Sequence, residues 1–117
     1  MIEYEKNNRI PSYIYVGLSD WEYKRELSDV FTCVEKITGI DKDILKSRSR
    51  IVNVTDARHL FCYFARIYTN LSLSLIGESI NRNHSSVLHA FRKVDKMKDA
   101  DKYYIRSVSQ MKKLLKV

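Results

Sequence analysis

The 117-residue sequence contains only three glycines and one proline, so it has few of the residues that tight turns require. An all-β fold needs many such turns, and the composition therefore disfavours one. The glycines stand at positions 17, 39 and 77, which leaves no segment of the form GxxxxGK[ST]. A phosphate-binding loop of that type is excluded, and with it the ATPase chemistry that depends on the loop.

Cysteine is also scarce, with only Cys33 and Cys62, and no CxxC pair occurs. Both fall on or beside the apolar side of helical patterns, so we expect small buried side chains in a reducing compartment. His84 and His89 are five residues apart, a poor spacing for two ligands on one helical face, and no metal or other cofactor is predicted. Because no Ser-His-Asp or paired-carboxylate constellation is evident, we expect no enzyme activity.

No apolar run of about 18 residues occurs, and the start MIEYEKNNRIPS lacks the apolar segment of a signal peptide. We therefore expect a cytoplasmic protein. With 44% apolar and 11% aromatic residues, the composition is typical of a folded domain. The sequence predicts an arm at residues 1–19, in which YIYVG is a short strand or an extended segment, followed by one compact all-α domain at residues 20–117.

Charge divides the chain into two unequal parts. Residues 1–45 carry 6 Lys and Arg against 9 Asp and Glu, whereas residues 46–117 carry 15 against 5, a balance of +10. A basic face attracts phosphates over a Debye length, about 10 Å at ordinary salt. The second part therefore favours a polyanionic partner, with a merely solvated basic surface as the alternative.

Hydrophobic periodicity predicts about six helices with short links. The first ends at Thr38-Gly39, and an exposed basic connection at residues 46–53 separates the second helix from the long third one. Each predicted start has a polar residue that can accept a backbone hydrogen bond. The predicted N-caps are Ser19 or Asp20, Asp41, Thr55, Ser72 and Asn83, and the last helix begins at about Asp101.

The predicted helices at residues 72–80 and 84–96, joined by about three residues, have the dimensions of a helix-turn-helix unit. The second helix has an apolar face of Val87, Leu88, Phe91 and Val94 and a polar face of Ser85, His89, Arg92 and Lys96. Hydroxyls in a first turn followed by cations are typical of a helix that enters the major groove of DNA. Helix capping and a solvated charged face are the alternative explanation.

The segment TNLSLSLIGESINRNHSSVLHAFRKV, residues 69–94, resembles the signature of the C-terminal DNA-binding domain of the bacterial replication initiator family DnaA. That family reads T-N-x-S-L-x-x-I-G, then a glycine-containing turn, then R-D-H-[ST]-[ST]-V-x-H-A-x-[RK]-K-[IV]. The resemblance covers roughly residues 27–117 and is strong over residues 45–96. It implies a Trp-repressor-like cluster of helices that binds double-stranded DNA, as replication initiators do at origin boxes, in the cytoplasm at the nucleoid.

The resemblance also implies roles for particular residues. His84, Ser85 and Ser86 match the family's His and hydroxyl pair, which address bases and phosphates in the major groove. Arg50 matches the arginine that enters the minor groove, where a narrow AT-rich groove concentrates negative potential. Arg58 matches an arginine that contacts DNA. The remaining positions of the implied surface are Lys46, Arg48, His59, Arg82, Asn83, His89 and Arg92.

Some positions depart from the family pattern. The turn at residues 80–84 is one residue shorter than usual and lacks the glycine pair, although Gly77 matches a family glycine that allows close helix approach. Asn83 stands where the family has a base-reading aspartate, which adds a donor and removes a charge. His59 replaces a glutamine, and Ala57 replaces a proline. Whether the target is the family's TTATNCACA-type box is left open.

Three functions are compatible with these features. The leading one is a sequence-selective DNA-binding module without ATPase activity, and the Met1 start with its unrelated arm favours a free-standing relative. A transcriptional regulator, or a phage or mobile-element protein with a different target, is the second. The third is a protein-interaction module that reuses the fold. Its candidate surface is the acidic, aromatic N-terminal portion with Tyr4, Tyr13, Tyr15, Trp21 and Tyr23.

Overall fold

The computed structural model describes residues 20–116, with the side chains of residues 27–116. Its helices are α1 (Asp20–Thr38), α2 (Lys42–Lys46), α3 (Val52–Tyr68), α4 (Leu73–Ser79), α5 (His84–Met97) and α6 (Lys102–Leu115). The described part contains no strand, and the predicted all-α fold is confirmed. The predicted arm at residues 1–19 with its YIYVG segment, and the aromatic side chains of the predicted partner surface, lie outside what is described.

Side-chain caps explain where most helices begin. Asp41, Ser72, Asn83 and Asp101 each accept a hydrogen bond from a backbone N–H in the first turn of α2, α4, α5 and α6. A cap of this kind stabilises a helix by about 1 kcal/mol. At the other end of α1, Gly39 takes the left-handed conformation with φ of +77°, which is favourable for glycine. These predicted helix boundaries are confirmed.

The predicted start of α3 at Thr55 is wrong. The helix begins at Val52, and the Thr55 N–H already donates to the carbonyl of Ile51 at 2.9 Å. Ile51 stands at the N-cap position, where its aliphatic side chain accepts no hydrogen bond. Since the true start carries no capping signal, the first polar residues of the helix were mistaken for one. The basic connection is correspondingly shorter, at residues 47–51.

The third helix lies at the centre of the fold and contacts each of the other five. Phe31 of α1 stacks on Phe61 with ring centroids 4.3 Å apart, and Phe91 of α5 stacks on Tyr63 at 5.1 Å. Buried residues therefore extend well around α3, as expected for a helix that is packed on several sides. They are Val54, Ala57, Arg58, Leu60, Phe61, Cys62, Tyr63, Phe64 and Ala65.

The turn between α4 and α5 brings two pieces of backbone unusually close together. The Arg82 N–H donates to the carbonyl of Gly77 at 2.8 Å, and a Cβ on Gly77 would collide with the Arg82 carbonyl oxygen. The close approach at Gly77 is thus made by the turn rather than by another helix. Asn81 has φ of +58°, a left-handed conformation that Asn tolerates, so it takes the place of the missing glycine pair.

Both cysteines are free and buried, as their patterns predicted. Burial raises the pKa of the Cys62 thiol to about 12 and also raises that of Cys33, so both thiols stay protonated and inert. No group of three His, Cys, Asp or Glu side chains is placed to hold a metal ion in the described part of the chain. Across the same residues, no helix combines the length and apolar character needed to cross a membrane.

Candidate nucleic-acid interface

The first half of α5 has one face in the core and one in solvent. On the solvent side, His84, Ser85, Ser86 and His89 are all exposed, and Arg92 continues the exposed face one turn further. The predicted polar front of the helix is therefore confirmed as a surface. The buried side of the helix consists of Val87, Ala90 and Val94, with Leu88 and Phe91 partly buried beside them.

Asn83 has two functions at the start of this helix. Its Oδ1 accepts the Ser86 N–H at 2.9 Å and so caps α5. The side chain itself is exposed, and its Nδ2 amino group makes no hydrogen bond with any described residue. Because the oxygen is occupied by the cap, Asn83 offers a partner two N–H donors, whereas an aspartate would offer only acceptors.

Arg58 is nearly buried, with 8% of its surface exposed. Its Nε donates to the carbonyl of Leu45 at 2.8 Å, and its two terminal nitrogens donate to the carbonyls of Ser49 and Ser47, each at 2.7 Å. These acceptors belong to the end of α2 and the basic connection. The implied DNA contact by Arg58 stays a prediction, whereas its contacts in the structure hold the connection against α3.

Arg82 binds the same connection from the other side. One terminal nitrogen donates to the carbonyl of Ser47 at 2.8 Å, and the other donates to the carbonyls of Ile80 and Asn81 at 3.2 and 3.1 Å. The Ser47 carbonyl thus accepts from Arg58 and Arg82 together. We call these two side chains the arginine clamp. It places the basic connection directly beside the turn of the helix-turn-helix.

Both guanidinium groups of the arginine clamp donate to backbone carbonyls, and no carboxylate of the described residues accepts a hydrogen bond from either. Burial, and then the neighbouring Arg82 cation, lowers the pKa of Arg58, although arginine remains charged at physiological pH. Two cations held only by neutral carbonyls create a positive potential at this position. The exposed Arg48 and Arg50 and the half-buried Lys46 add to that potential from the connection itself.

A groove of about 390 Å³ runs between α3 and the front of α5. Its lining includes hydroxyl, amide, imidazole and guanidinium groups together with the apolar side chains of Cys62, Ile80 and Ala90, and no Asp or Glu belongs to it. Because it contains two guanidinium groups and no carboxylate, the groove favours an anion over a cation. The lining residues are Thr55, Arg58, His59, Cys62, Ile80, Arg82, Asn83, Ser85, Ser86, His89 and Ala90.

His59 is oriented in this groove by a hydrogen-bond chain to α6. The Tyr104 hydroxyl donates to Asp56 Oδ1 at 2.8 Å, so His59 Nδ1, 3.1 Å from the Tyr104 oxygen, must be the donor in that second contact. Burial, and then the Lys93 cation, lowers the pKa of His59 and favours the neutral ring. Every buried side-chain N and O atom of the described residues has a partner, so the unpartnered Nε2 is accessible and carries a lone pair.

Many of the residues predicted from sequence lie in one region of the structure, but their contacts were not predicted. The structure brings Arg58, His59, Arg82, Asn83, Ser85, Ser86 and His89 together around one groove, with His84 beside it on α5. Arg92 lies further along α5, and Lys46, Arg48 and Arg50 lie on the adjoining end of α2 and the connection. The residues that sequence reasoning missed are Asp56 and Tyr104, whose pairing depends on the packing of α6 on α3.

The fold and the site define a helix-turn-helix protein with an exposed basic second helix and a basic connection beside it. The family model described as "Bacterial dnaA protein helix-turn-helix" matches residues 27–94 of the sequence. The chain belongs to this family. The resemblance read from residues 69–94 is therefore confirmed.

Curated relatives give the same assignment. The chain is 36% identical to the chromosomal replication initiator protein DnaA of Flavobacterium psychrophilum over 97 residues, which are 79% of this chain and 20% of the relative. It is 33% identical over 81 residues to the DnaA of a Thermoanaerobacter species, with 69% of this chain and 18% of the relative covered. For Ureaplasma parvum DnaA the identity is 34% over 100 residues, or 85% of this chain and 21% of the relative. The chain spans about a fifth of the length of these relatives.

Proposed function

We propose that this chain binds double-stranded DNA sequence-selectively, with α5 in the major groove and Arg50 in the adjoining minor groove. The observation that carries the proposal is the acid-free groove between α3 and the exposed front of α5. Phosphate oxygens require donors and cations, and carboxylates would repel them. A groove with this lining, next to a helix whose first turn is exposed, fits one strand of a DNA backbone.

Base selection in this proposal belongs to the exposed first turn of α5. His84, Ser85 and Ser86 are all within the first turn and exposed, which allows contact with base edges or with phosphates. Asn83 contributes the two donors of its Nδ2 amino group, while its Oδ1 accepts the cap hydrogen bond of α5. We therefore expect Asn83 to favour an acceptor such as the O6 or N7 atom of guanine, where the family's aspartate would favour a donor.

Phosphate contacts surround that turn. Lys46 and Arg48 on one side, and His89 and Arg92 on the other, supply hydrogen-bond donors to phosphate that do not read sequence. Arg50 extends the surface toward the minor groove, where a cation is attracted most strongly by AT-rich sequence. Arg58 and Arg82 act in this proposal mainly by holding the connection and the turn at a fixed spacing.

The named relatives are replication initiators, and we propose that the target is an origin-type box or a sequence derived from one. Binding would occur at the nucleoid, through residues 20–117, and without nucleotide hydrolysis. A transcriptional or mobile-element role would use the same surface on a different sequence. Selection of bound duplexes from a random pool distinguishes these cases, since enrichment of an initiator-type box supports the first and an unrelated motif the second.

Salt titration tests the proposal directly. The logarithm of the association constant for duplex DNA should fall linearly with the logarithm of salt concentration, with a slope of about −0.9 per phosphate contact. Fluorescence anisotropy of a labelled duplex gives this slope. A slope near zero would contradict DNA binding through a basic groove.

Two substitutions test the assigned roles. His84→Ala should reduce discrimination at one base pair, by about 1–3 kcal/mol, because it removes a base contact. Arg50→Ala should weaken binding mainly to AT-rich duplexes. Lys113→Ala on α6 is the control, since it removes one exposed cation outside the proposed interface. Equal weakening on every sequence by His84→Ala would contradict base reading by that residue.

A further inference from the structure

Ile51 and Val52 are the most exposed large apolar side chains of the described residues, at 66% and 70%. They are adjacent to each other and directly follow the exposed Arg50. Single exposed aliphatic residues are ordinary on protein surfaces. These two differ, because they stand at the start of α3, where a polar capping residue would stabilise the helix more.

The backbone that carries these side chains is well held. The Ile51 N–H donates to Ser49 Oγ at 3.3 Å, and the Ile51 carbonyl accepts the Thr55 N–H at 2.9 Å. The arginine clamp fixes the carbonyls of Ser47 and Ser49 just before them. Two aliphatic side chains therefore project from a segment whose backbone is already ordered by the fold.

The place of this pair suggests which surface covers it. In the proposed function Arg50 enters the minor groove, whose walls are formed by deoxyribose rings with apolar C–H edges. Proteins that bind the minor groove combine cations with apolar side chains. We propose, on the basis of the proposed function, that Ile51 and Val52 pack against the deoxyribose wall of the minor groove beside Arg50. The contact removes apolar surface from water and neutralises no phosphate.

The experiment compares the double variant Ile51→Ser/Val52→Thr with wild type on one AT-rich duplex, at several salt concentrations. Affinity should fall about tenfold, which corresponds to about 1.4 kcal/mol, while the salt slope stays that of wild type. Arg50→Ala should instead reduce the magnitude of the slope by about 0.9, because it removes a charge contact. Ile105→Ser, on the exposed side of α6, is the control and should bind as wild type does.

A loss of affinity in the double variant should not result from misfolding. Serine at position 51 supplies the missing cap of α3, and threonine has nearly the shape of valine, so the melting temperature should not fall. Affinity of the double variant within twofold of wild type would overturn the inference while DNA binding stands. A changed salt slope in the double variant would also overturn it. Absence of salt-dependent binding by wild type would remove the proposed function and the inference with it.

Discussion

The two basic segments of the interface, α5 and the connection at residues 47–51, are ordered in different ways. Helix α5 is specified by its own residues, since Asn83 caps it and an apolar face anchors it. The connection has no repeating structure, and its carbonyls are satisfied by Arg58 and Arg82 from elsewhere in the chain. One half of the surface therefore depends on local sequence, and the other half depends on tertiary contacts.

Arg50 and Arg58 show the same contrast within one residue type. Both match basic positions of the family, and they stand eight residues apart. Arg50 is exposed and makes no hydrogen bond with a described residue, so its charge is free to meet a partner. Arg58 donates three hydrogen bonds to backbone and is nearly buried. Arg50 is therefore exposed on the connection, whereas Arg58 holds that connection in position.

Among the substitutions that test this contrast, Arg58→Ala should lower the free energy of unfolding the most. It would leave the carbonyls of Leu45 and Ser49 without their donor, whereas the carbonyl of Ser47 keeps Arg82. Each unsatisfied buried group costs about 1–3 kcal/mol, so we expect the free energy of unfolding to fall by about 2 kcal/mol or more in urea denaturation. DNA affinity should fall as well, because the connection loses its fixed position.

Two further variants distinguish the clamp from a simple charge contact. Arg58→Lys keeps the charge, but an ammonium cannot reproduce the planar fork that reaches three carbonyls, so it should be destabilising too. Arg92→Ala removes an exposed arginine on α5 and should change stability by less than about 0.5 kcal/mol. If Arg58→Lys had the same free energy of unfolding as wild type, the three hydrogen bonds of Arg58 would not stabilise the fold as proposed.

Gly77→Ala tests the close approach of backbone in the turn of the helix-turn-helix. In an open helix this change would be stabilising by about 1 kcal/mol, because glycine is a poor helix former. Here the new Cβ would collide with the Arg82 carbonyl, so we expect destabilisation by about 1–3 kcal/mol instead. Thermal and urea unfolding measure whether the free energy of unfolding rises or falls. Asn81→Gly is the control and should be neutral or slightly stabilising, since its left-handed φ suits glycine.

The features that local chemistry determines were predictable from sequence. The start of α5, its exposed front and the caps at Asp41 and Ser72 each depend on residues within about four positions of one another. The left-handed Asn81 was not predicted, although asparagine in a turn without glycine is a usable signal. The family resemblance identified the same region by its residue types.

The features that tertiary contacts determine were not predictable. Nothing near Arg58 in the sequence shows that three carbonyls from an irregular segment converge on it. The predicted start of α3 was wrong for a related reason. Ile51 stands at the N-cap position and provides no side-chain cap, so only tertiary contacts stabilise this helix end. One general signal existed, because an irregular connection packed on a helix needs donors for its carbonyls, and a nearby arginine is the richest source.

The smallest expected effect concerns pH and the hydrogen-bond chain of His59. Its folded-state pKa is lowered from the ordinary value of 6.5 by burial first, then by Lys93, with smaller effects from His89 and Arg58 and an opposing one from Asp56. As pH falls below 6.5, the unfolded chain takes up a proton that the folded state resists. Stability contributed by this site is therefore present above pH 6.5 and is lost as pH falls toward the folded-state pKa.

Urea unfolding of wild type and His59→Gln should agree in pH dependence above pH 7. Below 6.5, wild type should lose stability more steeply than the variant, because glutamine has no proton to bind. Parallel curves between pH 7.5 and 5 would show that the imidazole is not held neutral, and the accessible lone pair assigned to its Nε2 would then be wrong.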